Sequence, residues 1–260
     1  MMYNRMQTFI MLLIRDARVF KRHIFGRFID ACIWSGIVLY VSQYIMPHFG
    51  TNPSFGKFML VGNIAAWGML EAATNVATLV SDVMRKHSIM YYLSLPIPQS
   101  WIFIRIALMD GYKSFISTLP MLPVGKLILG EHLSLCEIAY GKLFLMYLLS
   151  HIFFGFLGLF LASITPDLSY LTTIKLRIVF PLWFVGGYQF SWAMLYKTNP
   201  TLAYINLANP VVYIMEGMRS TVGTDTYLIP YTTCIIMTIM FTAIFGYIGI
   251  ILFKKRLDCL

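Results

Sequence analysis

Long apolar runs decide what this chain can fold into. They lie near residues 29–46, 57–81, 101–129, 138–163, 172–190 and 230–253. The hydrocarbon core of a bilayer is about 30 Å thick and a helix rises about 1.5 Å per residue, so roughly 20 apolar residues cross it. Composition points the same way: 58% of residues are hydrophobic and 12% are charged, where a soluble domain carries roughly 25% charged. The predicted fold is therefore an all-α integral membrane protein, with residues 1–260 forming one transmembrane domain of six spans.

Charge placement orients those spans. A net charge of +9 in a soluble protein would point to nucleic acid, but here the basic residues flank apolar runs, as on a cytoplasmic membrane face. Nucleic-acid binding is excluded on that ground. In residues 4–28, Met6, Phe9, Leu13, Ala17, Phe20, Ile24 and Phe28 recur at helical spacing, with Arg15, Arg18, Lys21 and Arg22 mainly between them. This predicts a basic amphipathic helix lying in the membrane interface; a soluble surface helix is the alternative. Lys254-Lys255-Arg256 closes the last run, so both termini are expected in the cytoplasm, which requires an even number of crossings. The loop at 47–56 lacks Lys and Arg, and 130–137 carries Glu131 and Glu137. Arg85-Lys86 and, after Thr165-Pro166-Asp167, Lys175 and Arg177 mark the cytoplasmic side. The fifth run is the weakest, interrupted by Pro181 and Gly186-Gly187. Residues 191–229 are apolar but broken at Asn199-Pro200 and Asn209-Pro210, which predicts a re-entrant or interfacial segment.

Several chemistries lack their residues. The four cysteines, Cys32, Cys136, Cys234 and Cys259, form no Cys-x-x-Cys pair, and no His-x-x-x-His pair exists, so no metal site is expected. The apolar patch Phe9–Ile14 runs into Arg15, Asp16 and Arg18 instead of a small-residue cleavage site, unlike a signal peptide.

One stretch stands out, "SDVMRKHSIMYYLSLPIPQS", residues 81–100. It lies between two apolar runs and is richer than a simple loop needs. Met84, His87/Ser88, Tyr91/Tyr92 and Leu95 fall at three-to-four spacing, which gives a helix one fairly apolar face. Pro96 and Pro98 then disfavour helix and fix the chain's direction. Such a face suits a soluble docking partner or an interfacial helix resting on lipid.

Together with its flanks this stretch, "NVATLVSDVMRKHSIMYYLSLPIPQSWIFI", resembles the second span, cytoplasmic coupling helix and Leu-x-x-Pro-x-Pro-like exit of ATP-binding-cassette permease subunits of the type-2 exporter group. "NPVVYIMEGMRSTVG", residues 209–223, is similar to that family's Asn-Pro-x-x-Tyr…Gly-x-Arg stretch before the last span. The order of elements matches over nearly the whole chain. The resemblance implies a homodimeric exporter in the bacterial inner membrane, handling a lipid, glycolipid, polysaccharide or drug. It also implies a coupling surface at residues 81–99 comprising Met84, Arg85, His87, Tyr91, Tyr92, Leu95, Pro96 and Pro98. The acidic-basic motif of capsule and O-antigen exporters has no counterpart, because Lys21-Arg22 lacks the acid. ATP and Mg belong to a separate ATPase subunit, since Gly56-Lys57, Gly125-Lys126 and Gly141-Lys142 are followed by Phe or Leu and none completes a phosphate-binding loop. No catalytic residue and no cofactor are expected in this chain.

Within the spans, Glu71 is costly unless it faces a partner or polar cavity, so it either lines a substrate path or bonds a neighbouring helix. Asp110 and Lys113, and likewise Glu216 and Arg219, are three apart and able to pair. Trp183, Phe184 and Tyr188 belong to a dense aromatic group that forms either an interfacial belt or a wall for substrate. His151 reads as a helix-packing residue. Two other classes remain: a proton-coupled secondary transporter using Glu71, Asp110 and His151, which an internal repeat would favour, and a membrane-embedded lipid-modifying enzyme, which needs a clustered acid, histidine or metal site.

Overall fold

The computed structural model describes residues 2–52, 54–86, 88–223 and 228–258. His87 and the side chain of Arg85, both expected on the coupling surface, lie outside the described residues. Among the described residues the chain is helical, with connecting turns and no strand. Four helices are long and apolar enough to cross a membrane, Ile24–Phe49, Tyr140–Ile164, Leu168–Val185 and Tyr231–Leu257. They mark the protein as membrane-embedded.

The chain opens with α1 (Met2–Lys21) and turns at Arg22-His23 into α2 (Ile24–Tyr40). The continuous helix expected over 4–28 is therefore two helices, and residues 24–28 begin the first apolar span. The break falls where Lys21-Arg22-His23 has no apolar residue to bury, and Arg22 and His23 bond back to Val19 and Phe20 at 3.2 and 2.9 Å. Next comes α3 (Phe55–Ser81), which passes through a π turn at Asp82–Lys86 into the short α4 (Ser88–Leu93).

The run expected over 101–129 is also divided, into α5 (Gln99–Thr118) and α6 (Met121–Leu129). Pro120 lacks the N–H that a continuous helix would use there. The central helix α7 (Tyr140–Ile164) packs on α3 and α5. It is followed by α8 (Leu171–Ile174), a π turn at Lys175–Val179, and α9 (Phe180–Val185). Three short helices follow, α10 (Trp192–Thr198), α11 (Pro200–Asn206) and α12 (Pro210–Arg219). The last helix, α13 (Tyr231–Asp258), lies along α7.

Apolar side chains face outward as well as inward. The middle of α3 is buried along most of its length, whereas α2 and α13 turn large apolar side chains outward: Phe25 is 74% exposed, Ile37 60% and Ile236 64%. Lipid is the solvent that leaves such faces stable. With no hydrophobic drive between helices in lipid, close packing and polar bonds must hold them together. Gly155 of α7 shows the first, since a Cβ there would lie 2.1 Å from the Ala107 carbonyl of α5. His151 shows the second: fully buried, its Nδ1 pairs with Ser114 Oγ at 2.7 Å and its Nε2 with Thr118 Oγ1 at 3.2 Å.

Two ends follow from these contacts. Arg256 donates to the carbonyls of Ala162, Thr165 and Pro166, satisfying the end of α7. Lys254 reaches Ser100 at 2.9 Å, and α1 packs on α5 with Phe9 edge-on to Trp101. The α4 stretch, α1, the start of α5, the Thr165–Asp167 turn and the end of α13 thus share one basic end. At the far end Lys57 meets Glu137 at 3.2 Å, and Ala139 N–H donates to the Thr221 carbonyl at 2.9 Å.

Candidate functional site

The densest arrangement of charge is at the basic end, and Tyr92 of α4 is its centre. The Arg15 guanidinium donates to the Tyr92 hydroxyl at 2.9 Å and to Asp16 at 2.7 Å. Arg105 of α5 also donates to Asp16, and its guanidinium carbon lies 4.3 Å from the Tyr92 ring centre. The Arg15 guanidinium is 5.2 Å from that same ring. Asp16 beside Arg15, with Tyr92 as a second hydrogen-bond partner, holds the guanidinium above its ordinary pKa. A cation on Tyr92 and a carboxylate between two arginines therefore tie α4 to both α1 and α5.

The expected coupling residues divide between two surfaces. Tyr91 is 65% exposed and Met84 48%, while Tyr92 and Leu95 are half-buried and Ile89 and Ile97 are buried. The single apolar face read from the spacing is thus corrected. The α4 helix is only six residues long, so Tyr92 and Ile89 turn inward while Tyr91 points away. Asp82 reinforces the bend by accepting from the Ile89 N–H at 2.9 Å. Pro98 caps the start of α5 with φ −57°, and Pro96 is exposed.

Behind this network lies a cavity of about 600 Å³ between α1, α3, α4 and α5. Its walls include Arg27, Arg105, Asp110 and Lys113. Glu71, 4% exposed, is paired with Arg27 of α2 at 2.5 Å. Asp110 and Lys113 pair at 2.9 Å. Spacing within one helix exposes the last pair. It cannot expose Arg27–Glu71 or Arg105–Asp16, whose members come from different helices, and these are the pairings the sequence reading missed. The one signal was negative: Glu71 and Arg105 had no partner on their own helices.

The far end holds a second charged site. Arg219 of α12, 1% exposed, donates to the carbonyls of Tyr188 at 3.0 Å and Phe190 at 3.1 Å. It lies 3.5 Å from Glu216 and 3.5 Å from the Phe58 ring centre. Glu216 in turn accepts from the Trp192 N–H at 3.0 Å. Asn209 starts α12 by accepting from Val211 N–H, and its amide donates to the Leu182 carbonyl at 2.9 Å. The turn they fix includes Gly187, whose φ of 86° suits glycine. Trp183 and Tyr188 are buried nearby with ring centres 5.0 Å apart, whereas Phe184 is 45% exposed. The three aromatic side chains do not share one exposed wall.

Neither a family model nor a curated protein sequence matches the chain. Function must be argued from this geometry. Among the described residues no three His, Cys, Asp or Glu side chains gather as a metal site.

Proposed function

We propose that the protein is the membrane-spanning subunit of an ATP-driven exporter, moving a lipid, glycolipid, polysaccharide or drug-like substrate. It crosses the inner membrane six times with both termini in the cytoplasm, residues 191–229 re-entering from the far side and α1 lying in the interface. It works as a homodimer with separate ATPase subunits that bind ATP and Mg.

One observation carries the reading. The stretch after α3 offers an exposed Tyr91 and Met84 at the basic end, while its inner side is tied by Tyr92 to Arg15 and Arg105. A loop that merely joined two helices would need no such bracing. A handle on which a soluble motor pulls needs both an outward contact and an inward linkage. The six-span topology draws support from the grouping of basic residues at the end that holds α1, α4 and the close of α13.

The test is copurification of the chain with an ATPase carrying a phosphate-binding loop. In the Tyr91→Ala/Leu95→Ala variant, binding should weaken or hydrolysis should uncouple from transport, with the chain still inserted normally. Unchanged ATPase binding and transport in that variant would sink the coupling role and leave α4 as a helix resting on lipid.

A further inference from the structure

Among the described residues, Arg177 is an unpaired charge that borders an apolar groove. It lies in the apolar helix Leu168–Val185, in the π turn at Lys175–Val179, and is exposed. Among the described residues it makes no ion pair or hydrogen bond. In the cavity between α1, α3, α4 and α5, by contrast, Arg15, Arg27, Arg105 and Lys113 all meet carboxylates. An ionised arginine on an apolar, outward-facing helix is costly unless something negative meets it.

The surroundings say what that is. Arg177 edges a groove of about 440 Å³, within the usual range of ligand sites. Leu157 and Phe160 of α7, Pro181 and Val185 of α9 and Phe245 of α13 form its wall, and Arg177 is the one charged residue among those lining it. Asn209, also at the groove, already uses its amide and its oxygen within the protein. One cation without a partner beside an apolar trough matches an amphiphile with an anionic head. Single π turns recur at functional sites, and this one is where Arg177 departs from regular helix.

We infer that this groove binds a phospholipid of net negative head group from the leaflet at the basic end, the phosphate on Arg177 and an acyl chain along the apolar wall. The planar guanidinium presents paired donors to phosphate oxygens.

The test titrates the purified chain in detergent with phosphatidylglycerol or phosphatidylcholine and counts bound lipid by native mass spectrometry. Phosphatidylglycerol should be retained in preference, and Arg177→Gln should weaken that retention roughly tenfold or more, the loss of one charge-assisted contact. Lys175→Gln removes the same charge from the same helix but does not line the groove, and should leave retention unchanged. Val185→Trp fills the groove without altering charge and should also lower it; Val185 is half exposed, so the fold tolerates the change. Equal retention of the two lipids, or full retention by either Arg177→Gln or Val185→Trp, would overturn the assignment. Excess inorganic phosphate should not displace the lipid, having no chain for the apolar wall. Displacement would make the ligand a soluble phosphate and refute the lipid. No ATPase enters the assay, so its result is separable from the transport reading.

Discussion

The two charged centres of this protein are built differently. At the far end, Arg219 is buried and bonded to backbone carbonyls of the turn between α9 and α10. At the basic end, Arg15 and Asp16 are partly exposed, and the bonds run between side chains of α1, α4 and α5 beside a cavity of about 600 Å³. A guanidinium locked to main-chain carbonyls has one arrangement. Partly exposed side-chain pairs between separate helices beside a cavity can exchange partners at small cost. The far end is a fixed turn, and the basic end is a joint.

The largest effect should come from breaking the fixed site. Arg219→Met leaves Glu216 buried without its cation and two carbonyls without a donor, which costs about 3–5 kcal/mol. Thermal unfolding of the purified variant should show a large loss of stability or no folded protein at all. A variant of near wild-type stability would show that the turn does not depend on Arg219.

The Arg27–Glu71 pair sharpens the comparison because its members differ in exposure, 36% and 4%. Arg27→Met strands a buried carboxylate and should cost about 3–5 kcal/mol. Glu71→Gln leaves a half-exposed arginine that can reach the interface, and should cost only about 1–2 kcal/mol. Unfolding of both variants under one set of conditions checks the asymmetry. Equal costs would mean that Arg27 is as confined as Glu71. The Glu71→Gln variant also tests the substrate path: altered transport with normal assembly supports a lining role, and normal transport leaves Glu71 as a helix-to-helix bond.

Much of this was legible in the sequence, and the reasons are physical. Apolar length reveals membrane helices because lipid imposes it, and the helices near 29–46, 138–163 and 230–253 lie where those runs predict. Pairs three apart, such as Asp110 and Lys113, are visible because one helix sets their separation. Breaks set by local chemistry were partly legible: Asn199 and Asn209 do start helices as capping residues before proline. Pairs between helices were not legible, since nothing in the chain records that Arg27 faces Glu71 or that Asp16 faces Arg105. The inward turn of Tyr92 was hidden for the same reason. Its neighbour Tyr91 is chemically identical, and only the packing of α4 on α1 and α5 distinguishes them.

The smallest stability effect belongs to the joint. Arg15→Gln removes a partly exposed pair and should change stability by about 0–1 kcal/mol. It should nevertheless loosen α4 from α1, which amide hydrogen exchange over residues 81–99 would report as faster exchange. Unchanged exchange there would mean that Arg105 alone holds Tyr92.

The central claim is that the exposed side of the α4 stretch is where a separate ATPase grips this subunit. A photocrosslinking residue at Tyr91 tests it directly, with Phe49, 79% exposed at the far end of the span Ile24–Phe49, as control. In intact cells the Tyr91 probe should capture a polypeptide whose peptide masses include a Gly-x-x-x-x-Gly-Lys-Ser/Thr loop, and the Phe49 probe should not. A Tyr91 probe that yields lipid adducts alone, in cells where the protein is folded and transporting, would contradict the account.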